Sequence, residues 1–347
     1  WRAFWRVEWP AVAPWLASAL CLVFLYCFSG FGLALVLGGQ DYATAEVEIY
    51  TLVAHELQLG QAGVLSLWML ALTGVVAWGY AAIERRMATP ARADALPRRR
   101  PAGAAQWLAV VAVVLLWVLI CLLPLASIAQ GAIHSGASVR EVLTDEYTLL
   151  ALGNTAQFSM LALVLATGLG LAHALAARRV LWLRTLVFLP FIVSPVMVAF
   201  GLLLLYPQWS GSFGVLVAAY ALLAYPFVAK SLAARLDSLP AHYLEAARSL
   251  GASPWRCFWR VTLPLLAPAL RRGMAFAAAT AVGEFAVSLF LSRPEWATLT
   301  TLIYQHLGKP GADNLAAAQV LACVLMGLAL LAFVLIEWPT DEDEARV

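Results

Sequence analysis

The stretch "YLEAARSLGASPWRCFWRVTLPLLAPAL", Tyr243 to Leu270, is polar, bracketed by prolines and rich in tryptophan, inside a chain that is otherwise almost continuously apolar. Its local signals read as helix, turn, helix. Pro240 stands in a first helical turn, where a missing N–H costs little. Residues 241–250, "AHYLEAARSL", are good helix formers, and Gly251 is a natural stop. Ser253 and Pro254 restart a helix as N-cap and first-turn proline, and Pro264 ends it ahead of the next apolar run. Leu244, Ala247 and Leu250 share a face of the first helix with Tyr243 beside it. Trp255, Phe258 and Trp259 recur at i, i+3, i+4 on the second. Such a surface has to be covered, either by a partner protein or by lipid headgroups, which Trp and Arg also suit.

The surroundings of this loop set the class. The chain has 347 residues, 63% hydrophobic and only 12% charged, with mean hydropathy +0.83; a soluble domain carries about twice that charge. Apolar runs of bilayer-spanning length recur and do not alternate as barrel strands do. The expected fold is an all-α polytopic membrane protein, with eight spans at 15–38, 61–83, 105–130, 148–176, 181–206, 212–231, 267–291 and 314–337. A net charge of +2 implies no nucleic-acid partner. Cys21, Cys27, Cys121, Cys257 and Cys323 lack CxxC or metal-like spacing and read as small core residues; no metal or cofactor is expected.

Placing the Tyr243 loop in the cytoplasm leaves only Arg140, Arg293 and Lys309, of 22 basic residues, on the opposite side. That bias sets the orientation, with both termini cytoplasmic. The polar, arginine-rich "ERRMATPARADALPRRRP" then reads as a cytoplasmic joint between two membrane units.

The chain opens "WRAFWRVEWPAVAP", which an offset of 254 positions lays on "WRCFWRVTLPLLAP". The same offset pairs Phe31 with Phe285, Ala43-Thr44 with Ala297-Thr298, and Ile49-Tyr50 with Ile303-Tyr304. Hydrophobic bias would align Leu and Ala, but not Trp, Arg and Pro in register. Two spans follow each copy, so the repeat is parallel, about an axis along the membrane normal, which is a transporter design. The missing initiator Met and the repeat at the first residue suggest a chain that starts inside a larger protein. Its only lysines, Lys230 and Lys309, lie outside any GxxxxGK[ST] motif, so no ATP site of its own is expected.

"EAARSLG", nine further residues and a closing "VTLP" resemble the Glu-Ala-Ala signature of ABC importer permeases, carried by Glu245, Ala246, Ala247, Gly251, Leu263 and Pro264, with Val261 in an Ile place. "NTAQFS", "LPFIVSPVMVAFGLLLLY" and "YPFVAKSL" are similar to the same family. The resemblance implies a type I ABC importer (MetI-like) transmembrane fold in a bacterial inner membrane. It implies no enzyme activity in this chain, and two partners, a dimer of ATP-binding subunits and a periplasmic binding protein, besides the lipid bilayer. Residues 1–83 would be the end of a first permease unit (the tail of its coupling loop and two spans), 84–104 a linker, 105–337 a complete second unit of six spans with coupling loop 232–266, and 338–347 an acidic tail. In that loop Tyr243, Leu244, Glu245, Ala246, Ala247, Gly251, Trp255 and Pro264 would meet the ATP-binding subunit.

Among fused two-unit permeases, "CFSGFGLALVLGGQDYATAEVEIY" and "AVGEFAVSLFLSRPEWATLTTLIYQHLG" resemble the thiamine and thiamine phosphate permeases; ferric-ion permeases share the plan. Glu284 is the one carboxylate within 267–291, where a charge is expensive and therefore faces the bundle interior or a watery path. A thiazolium cation would be attracted to it, with Phe285, Trp296 and Tyr304 as aromatic neighbours; a structural hydrogen bond between helices is the equal alternative. Asn154 and Ser194 are weaker path candidates that also suit interhelical bonding. Pro190 and Pro195 are expected to kink a span, and "ATLTTLIYQHLG" to form a short outer helix. An ion-coupled secondary transporter would call for several intramembrane carboxylates or an inverted repeat. A membrane enzyme would call for a polar reactive cluster.

Overall fold

The computed structural model describes residues 2, 4–39, 41–87, 101, 103–134, 139–180, 182–187, 189–240, 242–291 and 293–337. The expected linker at 84–104 falls mostly, and the acidic tail at 338–347 wholly, outside the described residues. Among the described residues there are helices and no strands. The main helices are α1 (Trp9–Phe28), α2 (Ala45–Ala54), α3 (Leu59–Met87), α4 (Ala104–Trp117), α5 (Leu123–His134), α6 (Glu146–Ala177), α7 (Pro195–Leu205), α8 (Phe213–Ser238), α9 (His242–Ser249), α10 (Pro254–Cys257), α11 (Leu263–Val282), α12 (Ala286–Leu291), α13 (Leu299–Leu307) and α14 (Ala312–Glu337).

Among the described residues, five stretches are long and apolar enough to cross a membrane: Leu59–Gly79, Ala104–His134 (α4 and α5 joined through a π turn), Glu146–Ala177, Phe213–Ser238 and Ala312–Glu337. The other three expected spans are interrupted. The run 15–38 stops at Phe28 and resumes at Phe31. The run 267–291 stops at Val282 and resumes at Ala286. The run 181–206 is divided into Leu183–Leu186, Leu189–Ile192 and α7. Here the prolines start helices rather than kink one: Pro195 opens α7 behind an extended Ser194 N-cap, because a proline drives the residue before it out of helical conformation.

The repeat recurs in the backbone at the same offset of 254. A π turn over Phe4–Glu8 leads into α1, and a π turn over Phe258–Thr262 leads into α11; α1 and α11 coincide end to end, and α2 and α13 begin at matched residues. Pro10 and Pro264 occupy the second position of these helices. A proline gives no N–H and crowds the carbonyl four residues back, and a widened π turn just ahead of it accommodates both defects without ending the helix. Pro264 therefore does not terminate the second loop helix, as the sequence suggests; α10, the π turn and α11 form one continuous rod from Pro254 to Val282.

The bundle centres on α8, packed between α6 and α11. In a bilayer, apolar burial does not drive helix association, and close approach of small residues does. The facing positions are accordingly Ala162, Ala166 and Gly170 on α6, Ala221, Ala224 and Ala229 on α8, and Gly273, Ala277 and Ala281 on α11. At Gly273 a Cβ would stand 2.8 Å from Val228 Cα and 3.2 Å from the Phe227 carbonyl oxygen, so the two backbones touch there. The N-terminal segment docks on this bundle through Phe31, Ile49, Leu52 and Met69 against Val196, Met197, Phe200 and Ala286. The cysteines depart from expectation. Cys27 and Cys121, set in apolar runs, are exposed, whereas the loop residue Cys257 is buried; an apolar run that faces outward leaves its small residues at the surface.

Candidate functional site

The loop is built as a stopped helix followed by the rod. α9 ends in a Schellman motif: the Ala252 N–H bonds the Ala247 carbonyl at 3.1 Å and the Gly251 N–H bonds that of Arg248 at 2.9 Å, with Gly251 at φ +79°, a conformation that favours glycine. Ser253 then caps α10, its hydroxyl accepting from the Arg256 N–H at 3.4 Å, with Pro254 in the first turn. Pro240 stands two residues ahead of the first helical residue rather than within the turn. The expected face of α9 divides. Leu244 and Ala247 turn half-buried toward the bundle, while Leu250, at the helix end, is 88% exposed. Tyr243, Glu245, Ala246, Trp255 and Trp259 are also exposed. Trp255, Phe258 and Trp259 pack ring on ring, with centroids 5.5 to 6.3 Å apart. Behind α9 a cavity of about 810 Å³ is lined by Leu175, Arg178, Arg179, Glu245, Arg248 and Leu265.

The far end of the rod meets the second candidate region. At Gly283–Phe285 the helix breaks, and the freed backbone groups are satisfied by side chains, as a buried break requires. The Glu284 carboxylate accepts from the Val287 N–H at 3.1 Å and caps α12. The Glu284 carbonyl accepts from the Tyr220 hydroxyl at 3.3 Å and the Thr300 hydroxyl at 3.0 Å. Ser288 and Thr298 extend this buried network. Phe285 stacks on Phe31 at 5.8 Å and lies 5.4 Å from Tyr304. Trp296, expected beside Glu284, packs instead with Phe158 and Phe213.

Of the weaker candidates, Asn154 donates to the carbonyls of Glu295 at 3.0 Å and Ala297 at 2.9 Å, tying α6 to the turn before α13. Its amide is thereby committed to a structural bond. Ser194 is buried and caps α7, accepting from the Met197 N–H at 3.2 Å. His173 and His306 bond the Leu183 carbonyl and Asn314.

The structure adds Glu46, which no sequence motif marks. It lies in the first turn of α2, fully buried, beside Ser194 and the Phe31 amide, and near enough to Glu284 for the two charges to oppose each other. Neither of its carboxylate oxygens has a hydrogen-bond partner of acceptable geometry. The repeat offset held a clue: Glu46 occupies the place that the second copy gives to buried Thr300.

Residues 165–338, from the middle of α6 through α14, match the family described as "Binding-protein-dependent transport system inner membrane component". The chain belongs to this family. Among its members, the thiamine transport system permease protein of Haemophilus influenzae is 26% identical over 358 aligned positions, covering 99% of this chain and 66% of the relative. That of Escherichia coli is also 26% identical, covering 97% and 65%. The chain thus spans just under two thirds of the length of these two permeases. The sulfate transport system permease protein of Synechocystis is 30% identical over 253 positions, 66% of this chain and 91% of the relative. A chain in the crystal structure of a bacterial alginate ABC transporter in complex with its alginate pentasaccharide-bound periplasmic protein superposes with a TM-score of 0.52 at 20% identity, covering 67% of this chain and 93% of that one. The fold is the all-α, MetI-like permease fold.

Proposed function

We propose that this chain is the membrane permease of an ATP-driven ABC importer and that it passes thiamine or thiamine phosphates received from a periplasmic binding protein. The observation that carries the reading is mechanical. An exposed helix bearing Glu245-Ala246-Ala247 is fixed by a glycine stop to a helix that runs on from Pro254 to Val282, through a π turn and past Pro268, to the break at Glu284. Such a rod is about 43 Å long at 1.5 Å per residue. A displacement at α9 and Trp255 therefore moves the backbone at Glu284, and force from nucleotide closure on a partner subunit would reach the pathway along it. ATP hydrolysis belongs to that partner. The loop lies on the cytoplasmic side, as do both ends of the chain, by the distribution of its basic residues. Residues 1–83 act as the end of a first permease unit and 105–337 as a second.

The thiamine assignment is supported by likeness to thiamine permeases along almost the whole chain. The test is ATPase activity of the transporter reconstituted with its ATP-binding subunit and binding protein, across thiamine, thiamine phosphates, ferric ion and sulfate. Stimulation by thiamine compounds is expected. Stimulation by sulfate or iron alone removes the substrate, and uptake without ATP removes the importer. Loss of co-purification of the ATP-binding subunit in a Glu245→Ala/Gly251→Val double variant tests the loop.

A further inference from the structure

Glu46 is a fully buried acid whose oxygens lie beside the Ser194 hydroxyl and the Phe31 N–H without meeting either in good hydrogen-bond geometry. Such poorly satisfied burial is a costly arrangement for a charged or a neutral carboxyl group. Asp145, Ser194 and Glu284, by contrast, each cap a helix. Glu46 comes from the N-terminal copy and Glu284 from the second, and the 254 offset does not pair them: their counterparts are Thr300 and Gly30. Each copy thus contributes one carboxylate at a different place, and packing the copies together brings the two near each other.

Aromatic rings close over the same junction from both copies. Phe31 stacks on Phe285 at 5.8 Å and meets Tyr50 at 5.6 Å; Tyr50 meets Phe290 at 5.2 Å, and Phe285 meets Tyr304 at 5.4 Å.

We propose that Glu46, together with Glu284 and the Phe31, Tyr50, Phe285 and Phe290 rings, forms a cation-recognition site at the junction of the two copies, suited to a monovalent organic cation. The chemistry selects that class. Opposed carboxylates are relieved by a positive charge between them, and ring faces add attraction for a diffuse organic cation. A hard metal ion would want about six oxygen ligands, and no group of three potential metal-ligating side chains occurs among the described residues. The inference deepens the importer reading and rests on it.

The experiment is uptake of radiolabelled thiamine, choline and sulfate into proteoliposomes holding the complete transporter, with E46Q, E46D and E284Q. The Gln oxygen of E284Q can still accept the Val287 N–H, but the carboxylate also receives the Ala286 and Phe285 N–H groups, so a melting curve of E284Q separates loss of charge from loss of the cap. E46Q and E284Q should each lower organic-cation uptake about tenfold, as loss of a charge-assisted contact does. E46D should recover most of it, and E46Q should melt no lower than wild type, since it replaces an unpartnered charge. Unchanged cation uptake in both Gln variants overturns the site. So does a lower melting temperature in E46Q with no recovery in E46D, which marks a packing role. If E46Q does not assemble, E284Q carries the test with the same two outcomes. Wild-type uptake of choline but not thiamine, cut tenfold in E46Q, keeps the cation site and removes thiamine as substrate. Wild-type uptake of sulfate alone overturns both.

Discussion

Replacing Gly251 separates a designed hinge from an incidental loop. Gly251 sits at φ +79° as the left-handed residue of the Schellman motif that stops α9. A Cβ built there meets no heavy atom within 4 Å, so substitution causes no clash with the surroundings and its whole cost is the backbone conformation. For an ordinary L-residue that cost is about 1–2 kcal/mol, and asparagine, which visits this region more readily, loses less. In an exposed loop the free permease escapes the strain by letting α9 swing away from its angle. The penalty then appears when a partner must restore it. Converted at 1.4 kcal/mol per factor of ten, Gly251→Ala should weaken affinity for the ATP-binding subunit about 5- to 30-fold, with Gly251→Asn between it and wild type. The assay is binding of that subunit to permease in nanodiscs, with thermal melting as a control that should barely move. Equal affinity for the Gly, Asn and Ala forms would refute the hinge. Equal loss for Asn and Ala would show that the side chain, not the backbone angle, matters.

Gly273→Val should force α8 and α11 apart, because its Cβ would fall within 2.8 Å of Val228 Cα; overpacking of this kind costs about 1–3 kcal/mol, read as a lower melting temperature. Asn154→Ala removes two hydrogen bonds to buried-side carbonyls and should cost about 1–3 kcal/mol, with uptake falling only as far as folded protein falls. Tyr220→Phe removes the hydroxyl that joins Ser288 to the Glu284 carbonyl and should cost about 1 kcal/mol in a melt. Arg184→Ala should change stability by less than about 1 kcal/mol, since the Arg184–Asp237 pair, 2.7 Å apart, is half-exposed on both sides; a larger loss would assign that pair a role beyond a surface contact.

Hydropathy made the membrane class and the places of most long helices legible, and short-range turn chemistry made Gly251 and Ser253 legible as stop and start. Both signals are local. The interruptions at Gly30 and Gly283 were not legible, because a broken span that satisfies its own backbone keeps its apolar composition. What repairs the second break comes from elsewhere in the chain: Tyr220 lies 64 residues before Glu284 and Thr300 lies 16 after it. The same distance hid Glu46, whose neighbours Ser194 and Glu284 belong to the other copy. Pro264 misled because a proline near a polar loop normally marks an end. The π turn before it, seen again before Pro10, lets the helix continue.

The repeat shows where sequence freedom has been used. Backbone features survive the 254-residue offset to the residue: the π turns, the matched helices and the start of α2 and α13. Ring positions survive too, with Phe31 and Phe285, and Tyr50 and Tyr304, keeping their types. Thr44 and Thr298 also match, but the two acids do not, since Gly30 faces Glu284 in the alignment and Glu46 faces Thr300. A purely structural junction would gain from identical caps in both copies, as each break leaves the same orphaned groups. In the second copy Thr300 donates to the backbone and the Glu284 carboxylate caps α12, so that break is self-sufficient. In the first, a buried acid with no well-formed hydrogen bond stands where the threonine would serve. The two copies share a backbone frame at this offset, and among the many positions at which they differ are two buried acids that lie where the copies meet; if the chain passes a cargo, that is a place where a difference would serve the cargo rather than the fold.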